Sequence, residues 1–316
     1  MQLKSYTVRH LKKQRGERRQ KSMKTIDISE FSAEQAHCCT LCPRNCRTDR
    51  TEKAGFCGER ATARIARAAL HMWEEPCISG KNGSGTVFFS GCSLKCVFCQ
   101  NYAVSRSEKG RSVTADELVG IYFDLVRQGA HNINLVTPTH FAPVVTESVI
   151  KAKDGGIGVP FVWNSSGYET PEFFRNSAGI FDVFLPDFKY VSSEISRKYS
   201  VAGDYSEVAL NVLKAMREAQ PDDIFENGLM KKGMIVRHLV LPGCTDDSLD
   251  VLDEIKKNLG KSQLISIMSQ YTPFDRLKKH PLLSRKVTRK EYNSVVDYAI
   301  DCGINNGFIQ EGDVAE

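Results

Sequence analysis

The stretch TVFFSGCSLKCVFCQNY, residues 86–102, joins a short apolar run to a cysteine loop. Thr86 to Phe89 has the length and composition of a buried strand, and Ser90-Gly91 supplies the turn that ends it. Cys92, Cys96 and Cys99 follow with CxxxCxxC spacing, so one loop can aim three thiolates at a single point without providing a fourth. Thiolates are soft donors that select Zn, Cu(I) or iron–sulfur clusters. A structural zinc closes its tetrahedron with four protein ligands. Three cysteines with no obvious fourth therefore fit a [4Fe–4S] cluster whose last iron is left open. A zinc knob or buried structural thiols are the plainer alternatives.

Cysteine usage upstream is unusual. Nine of the eleven cysteines lie between Cys38 and Cys99, and the odd total argues for metal binding in a reducing compartment rather than a disulfide framework. Cys39, Cys42, Cys46 and Cys57 form a second group in CCTLCPRNCRTDRTEKAGFC, residues 38–57, with Cys38 as a substitute ligand. Pro43, Gly55 and the adjoining Gly58 make this a loop-rich knot that burial alone could not hold together. Four thiolates suit either a structural zinc or a fully ligated second cluster, and the spacing does not choose between them. Glu74, Glu75 and Cys77, in the polar stretch before Thr86, could face a site or serve as caps and turns.

With 316 residues, 41% hydrophobic and 26% charged, the chain has the composition of a globular protein with room for a barrel and an appendage. No apolar run has the length of a membrane span and no signal-peptide pattern is present, so a cytoplasmic location is expected. The net charge of +5 comes from residues 1–25, which carry nine Lys or Arg against Glu17 and leave the remainder close to neutral. Such an arm could tether nucleic acid or an anionic membrane, or act as a transit peptide. A solvated terminal segment is the simplest account, and nucleic acid is not the expected partner.

After the cysteine loop the chain alternates. Thr114 and Glu117, then Thr288 and Glu291, are capping boxes that open helices. Strands are expected at 131–137, 160–165, 181–186, 233–241 and 263–269, with helices between them and a short final strand at 307–310. Counted from Thr86, six β/α units imply a parallel sheet, and no GxGxxG follows the first strand to suggest a dinucleotide fold. The expected class is α/β, a partial (β/α)6 TIM-like barrel with a small Cys-rich N-terminal metal-binding extension. The expected division is a basic arm at 1–30, the extension at 31–84 and the barrel at 85–275. Residues 276–316 would then add a C-terminal helix and short strand packed on the barrel.

Barrel sites gather at strand C-termini. Those ends carry Thr137-Pro138-Thr139-His140, Asn164-Ser165-Ser166-Gly167, Asp187-Phe188-Lys189, Leu241-Pro242-Gly243 and Gln270-Tyr271-Thr272. The cysteine loop, with Phe98 just before its last cysteine, resembles the signature of the radical S-adenosylmethionine enzymes. The resemblance implies that Cys92, Cys96 and Cys99 hold a [4Fe–4S] cluster whose open iron binds S-adenosylmethionine. An electron from the cluster then yields a 5′-deoxyadenosyl radical that abstracts a hydrogen atom. Asn164-Ser165-Ser166-Gly167, Asp187-Phe188-Lys189 and the Arg237 to Gly243 segment are similar to the branch of glycyl-radical-enzyme activases. Strand-end position and these likenesses together give Phe98, His140, Asn164, Ser165, Ser166, Gly167, Asp187, Lys189 and Arg237 as candidate cofactor contacts. The activase likeness also implies a flavodoxin- or ferredoxin-type one-electron donor and a glycyl-radical enzyme as partner.

Two departures qualify the likeness: Thr137-Pro138-Thr139-His140 stands where many members carry Gly-Gly-Glu, and the simplest activases lack the N-terminal knot. Hydrogen abstraction from a small molecule or peptide is the chemical alternative, and a metal-stabilised scaffold or nucleic-acid-binding protein the non-catalytic one. Individually the rim residues have modest explanations: Asp187 and Lys189 could form a solvent-screened pair worth under ~1 kcal/mol. Of the neighbours Arg237 and His238, at most one can point inward.

Overall fold

The computed structural model describes residues 28–310; the basic residues of the 1–25 arm lie outside them. The strands are β1 (Arg64–His71), β2 (Ser84–Phe89), β3 (Arg111–Ser112), β4 (Ile133–Val136), β5 (Phe161–Ser165), β6 (Val183–Pro186), β7 (Ile224–Glu226), β8 (Leu229–Leu239), β9 (Leu264–Met268) and β10 (Gly307–Ile309). They form one sheet in the order β10-β9-β8-β6-β5-β4-β2-β1-β3, with β7 paired to β8. From β2 to β10 every neighbouring pair on this path is parallel, and the order never reverses along the chain. A doubly wound sheet would reverse at a switch point; steady progression is the winding of a partial barrel.

Helices separate the parallel strands, and both capping boxes are present, at Thr114 with Glu117 and at Thr288 with Glu291. Alternation along the strands sorts the side chains into two cores. Leu135, Phe161, Trp163, Phe184, Val236 and Ile265 join the large outer core with helix residues such as Leu118, Val149, Leu213 and Val251. Val162, Val183, Leu185, Ile235 and Leu264 form a smaller inner core with Cys77, Ile78 and Met230. Cys77 and Ile78 belong to the short helix Pro76–Ser79, so this turn fills one end of the barrel interior and leaves the strand C-termini for polar groups.

Two sheet additions differ from the expected strand set. β1 runs antiparallel to β2 and carries Arg64 and Arg67, so it lacks the apolar run that marks a buried strand. β7 and β8 make a hairpin closed by Asn227-Gly228, both in the left-handed region at φ 52° and 79°. That dipeptide is a strong hairpin signal in the sequence.

Candidate active site

The 92–99 loop is held by its carbonyls. Arg44 Nε donates to Ser93 O at 2.8 Å, Arg106 Nη2 to Lys95 O at 2.7 Å, and Arg276 to Val97 O and Cys99 O at 3.2 and 2.5 Å. Three guanidinium groups thus surround a loop that would carry thiolate charge, and none of the three was evident from local sequence. The sulfurs are also served by donors: Leu94 N–H reaches Cys92 Sγ at 3.4 Å and Ser200 Oγ–H reaches Cys96 Sγ at 2.9 Å. Burial pushes the Cys96 thiol up to about 12, so ionising it calls for compensating positive charge. Phe98 is buried, its ring centroid 6.4 Å from Tyr190 and 6.3 Å from Tyr271.

Four charged side chains contributed by distant segments form a layer inside the barrel. Asp187 accepts from Lys189 Nζ at 2.5 Å and from Arg237 Nε at 3.0 Å. Arg237 Nη1 reaches Glu74 Oε2 at 3.2 Å and Nη2 reaches Asn164 Oδ1 at 2.6 Å. Asn134 Nδ2 in turn donates to Glu74 Oε1 at 3.1 Å. Period-two alternation explains the gathering: Asn164, Asp187 and Arg237 follow Val162, Leu185 and Ile235 of the inner core on the same faces of their strands. The side chains of Glu74, Arg237, Lys189 and Asp187 are 10%, 13%, 15% and 17% exposed, which rules out a solvent-screened surface pair.

Burial raises the Asp187 carboxyl, but Lys189 and Arg237 outweigh it and hold the group below its ordinary range. Burial lowers Lys189, yet Asp187 and Cys96 return it above its usual value, which also places the ammonium within electrostatic reach of the cysteine loop. Glu74 is pushed up to about 7, chiefly by burial and against the pull of Arg237.

Not all the rim residues join this layer. Ser165 follows inward-facing Asn164 and so turns outward, where its hydroxyl donates to Glu169 Oε2 at 2.5 Å. Glu169, not foreseen from sequence, also accepts from Trp163 Nε1 and Thr139 Oγ1 at 2.8 and 2.7 Å and locks the outer side of this corner. His140 faces the base of the cysteine loop, its Nε2 2.6 Å from Ser90 O, and burial drives its basicity down to about 3. A neutral ring that donates from Nε2 leaves Nδ1 without a partner, so His140 supports the loop instead of lining the polar layer. Ser166 offers its carbonyl to Tyr205 Oη–H at 2.8 Å. Gly167 has φ 73°, and a Cβ there would stand 2.5 Å from Asp187 O, so only glycine permits β6 to approach. His238 points away from Arg237 and bonds Phe188 O and Ser248 Oγ at 2.8 and 2.9 Å.

The donor chemistry suits a thiolate-held cluster and a zwitterionic ligand: sulfurs supplied with N–H and O–H donors, both charge signs fixed in the layer, and Asn134 Oδ1 buried without a partner. Among the described residues, no three His, Cys, Asp or Glu side chains already stand close enough to grip a single metal ion.

Fold and site together define a barrel protein with a thiolate-rich strand-end centre. Residues 86–255 match the Radical SAM superfamily, and the chain belongs to that family. An uncharacterized protein of Methanocaldococcus jannaschii is 29% identical over 275 residues, 83% of this chain and 74% of the relative. The pyruvate formate-lyase-activating enzyme of Staphylococcus aureus is 24% identical over 177 residues, 52% of this chain and 65% of that enzyme. Among solved structures, Streptococcus suis SuiB bound to precursor peptide SuiA matches with TM-score 0.49 and 14% identity, covering 70% of this chain and 46% of SuiB. The chain thus spans less than half of that structure. Among the described residues, no helix is long and apolar enough to cross a membrane.

Proposed function

We propose that this radical S-adenosylmethionine protein is an oxidoreductase that abstracts a hydrogen atom from the Cα–H of a glycine in a partner protein, in the manner of an activase. The observation that carries the chemical part is the buried layer of Glu74, Asn164, Asp187, Lys189 and Arg237, whose Lys189 ammonium lies within electrostatic reach of Cys96 and Cys99. A [4Fe–4S] cluster on Cys92, Cys96 and Cys99 would supply the electron that splits S-adenosylmethionine into methionine and a 5′-deoxyadenosyl radical.

The chain's own groups have complementary tasks. Lys189 offers an ammonium to a carboxylate, while Glu74 and the free Oδ1 of Asn134 offer acceptors to an amino group. Asp187 and Arg237 hold one another and keep both in register. Arg44, Arg106 and Arg276 hold the loop carbonyls so that the sulfurs keep one orientation. The helix Pro76–Ser79 closes the interior to water from below. A flavodoxin- or ferredoxin-type protein is the proposed electron donor, and a reducing cytoplasm the proposed location.

The choice of a protein glycine follows the similarity to the Staphylococcus aureus activating enzyme. Its test uses cells grown on α-deuterated glycine, fractionated into protein and small molecules. Deuterium in the 5′-deoxyadenosine formed with the protein fraction supports the activase reading. Deuterium arriving only from the small-molecule fraction rejects it.

A further inference from the structure

The four-cysteine knot forms a wall of the 92–99 loop. Within it, Cys39 N–H donates to Thr48 O and Arg47 N–H to Cys39 O, a ladder that folds Cys46 back toward Cys39. Asn45 and Arg47, on either side of Cys46, both adopt left-handed backbone at φ 41° and 49°. Such strain at two non-glycine residues persists only where surroundings impose it. Cys46 Sγ and Cys57 Sγ converge on Gly55, at 3.4 and 3.7 Å from where a Cβ would stand, so the two sulfurs face one place. Four cysteines gathered in one knot match the donor set of a structural zinc or of a fully ligated cluster.

Three routes join this knot to the loop. Cys92 N–H donates to Cys57 O at 3.2 Å, and Gly91 admits Cys57 O where a Cβ would stand 2.9 Å away. Arg44, between Cys42 and Cys46, donates to Ser93 O at 2.8 Å, Val201 O at 2.6 Å and Ser200 O at 3.3 Å. Ser200 is the residue whose hydroxyl meets Cys96 Sγ. On the other side, Arg50 lies 3.9 Å from Cys39 Sγ and donates to His140 O at 2.6 Å, while the His140 ring meets Ser90 O.

We propose that Cys39, Cys42, Cys46 and Cys57 bind a second thiolate-ligated metal centre whose occupancy holds the 92–99 loop in its cluster-binding shape, so that the two sites load cooperatively. The coupling half rests on the proposed cluster at Cys92, Cys96 and Cys99; the second centre does not. Filling the knot requires its thiols to draw together around the metal, which fixes the turn carrying Arg44 and the carbonyl of Cys57. Coupling of this kind is reciprocal and typically worth about 5- to 150-fold in affinity.

The test uses the full-length chain after anaerobic reconstitution, with iron, sulfide and zinc measured per chain and iron release to a ferrous chelator timed. A Cys92→Ala/Cys96→Ala/Cys99→Ala variant should keep a metal: iron with sulfide means a second cluster, zinc a structural site. Cys42→Ala/Cys46→Ala should lose that metal and release its remaining iron at least about fivefold faster. Arg44→Met keeps every thiol, so it should retain the knot metal and still show the faster release, which protects the test if the double variant fails to fold. A triple variant without metal overturns the second centre, and unchanged release from Arg44→Met overturns the coupling. If the wild-type chain loads no iron beyond the triple variant, the function proposed above fails and takes the coupling with it, while the second centre stands.

Discussion

Arg237 places Nε and Nη2 at 3.0 and 2.9 Å from Asp187 Oδ1, tying β8 to the end of β6 inside the barrel. The same Nη2 reaches Asn164, so the cation that unites these acceptors belongs to the protein. Desolvating such charges offsets most of their attraction, and replacing a buried network by apolar groups is often neutral or stabilising. The layer is therefore better explained by what it can hold than by what it adds to folding.

Arg237→Met should be the most damaging single change in the layer. It leaves Glu74 and Asp187 buried without their shared partner, a loss on the order of 3–5 kcal/mol. Arg237→Lys should recover little, because one ammonium cannot reproduce three directed donations. Thermal melts of the full-length variants check both, and wild-type stability in Arg237→Met would contradict the burial argument.

Lys189→Met should behave differently, since Asp187 keeps Arg237. The expected outcome is full iron content and a fold like the parent, with S-adenosylmethionine bound about tenfold or more weakly, or about 1.4 kcal/mol. Equilibrium binding to the reconstituted variant measures this. Unaltered affinity would remove Lys189 from the binding site.

The Glu74 carboxyl is pushed from about 4.5 up to about 7, so the folded chain holds this proton more tightly than the unfolded chain does. Its contribution is complete below about pH 4.5 and is lost as pH rises through about 7. Glu74→Gln cannot ionise, and its melting temperature should change less over that window than the parent's. Parallel pH slopes in the two proteins would show that Glu74 is not the titrating group.

Ser200→Ala removes the O–H donor to Cys96 Sγ without touching a proposed ligand. Hydrogen bonds to cluster sulfurs help set the reduction potential, and losing one makes reduction harder. An EPR-monitored redox titration should show a lower potential at unchanged iron content; an unchanged potential would mean that this hydroxyl does not act on the centre.

The parallel strands were legible because each is a short apolar run between turn residues, and the helices because Thr114 and Thr288 open them with capping boxes. β1 was not, because Arg64, Arg67 and three alanines, none of them buried, give no apolar run. The hairpin at Asn227-Gly228 carried a signal that the strand pattern alone did not use. In the site, Asn164, Asp187, Lys189 and Arg237 could be named from strand ends, but their bonds to one another could not. Glu74 meets Arg237 across 163 residues, and Arg44 meets Ser93 across 49, so only the folded chain brings them together. Ser165 and His140 lie at strand ends, but their side chains bond Glu169 and Ser90 O, since alternation and the packing beneath Ser90 decide their direction.

Reductive cleavage of S-adenosylmethionine is the proposed joint task of the three-cysteine loop and the charged layer. Anaerobic reconstitution, addition of dithionite and S-adenosylmethionine, and quantification of 5′-deoxyadenosine test it most directly. The expected outcome is 5′-deoxyadenosine with matching methionine from the wild-type chain and none from Cys96→Ala. A reconstituted wild-type protein that carries the cluster and binds S-adenosylmethionine, yet forms no 5′-deoxyadenosine, would contradict it.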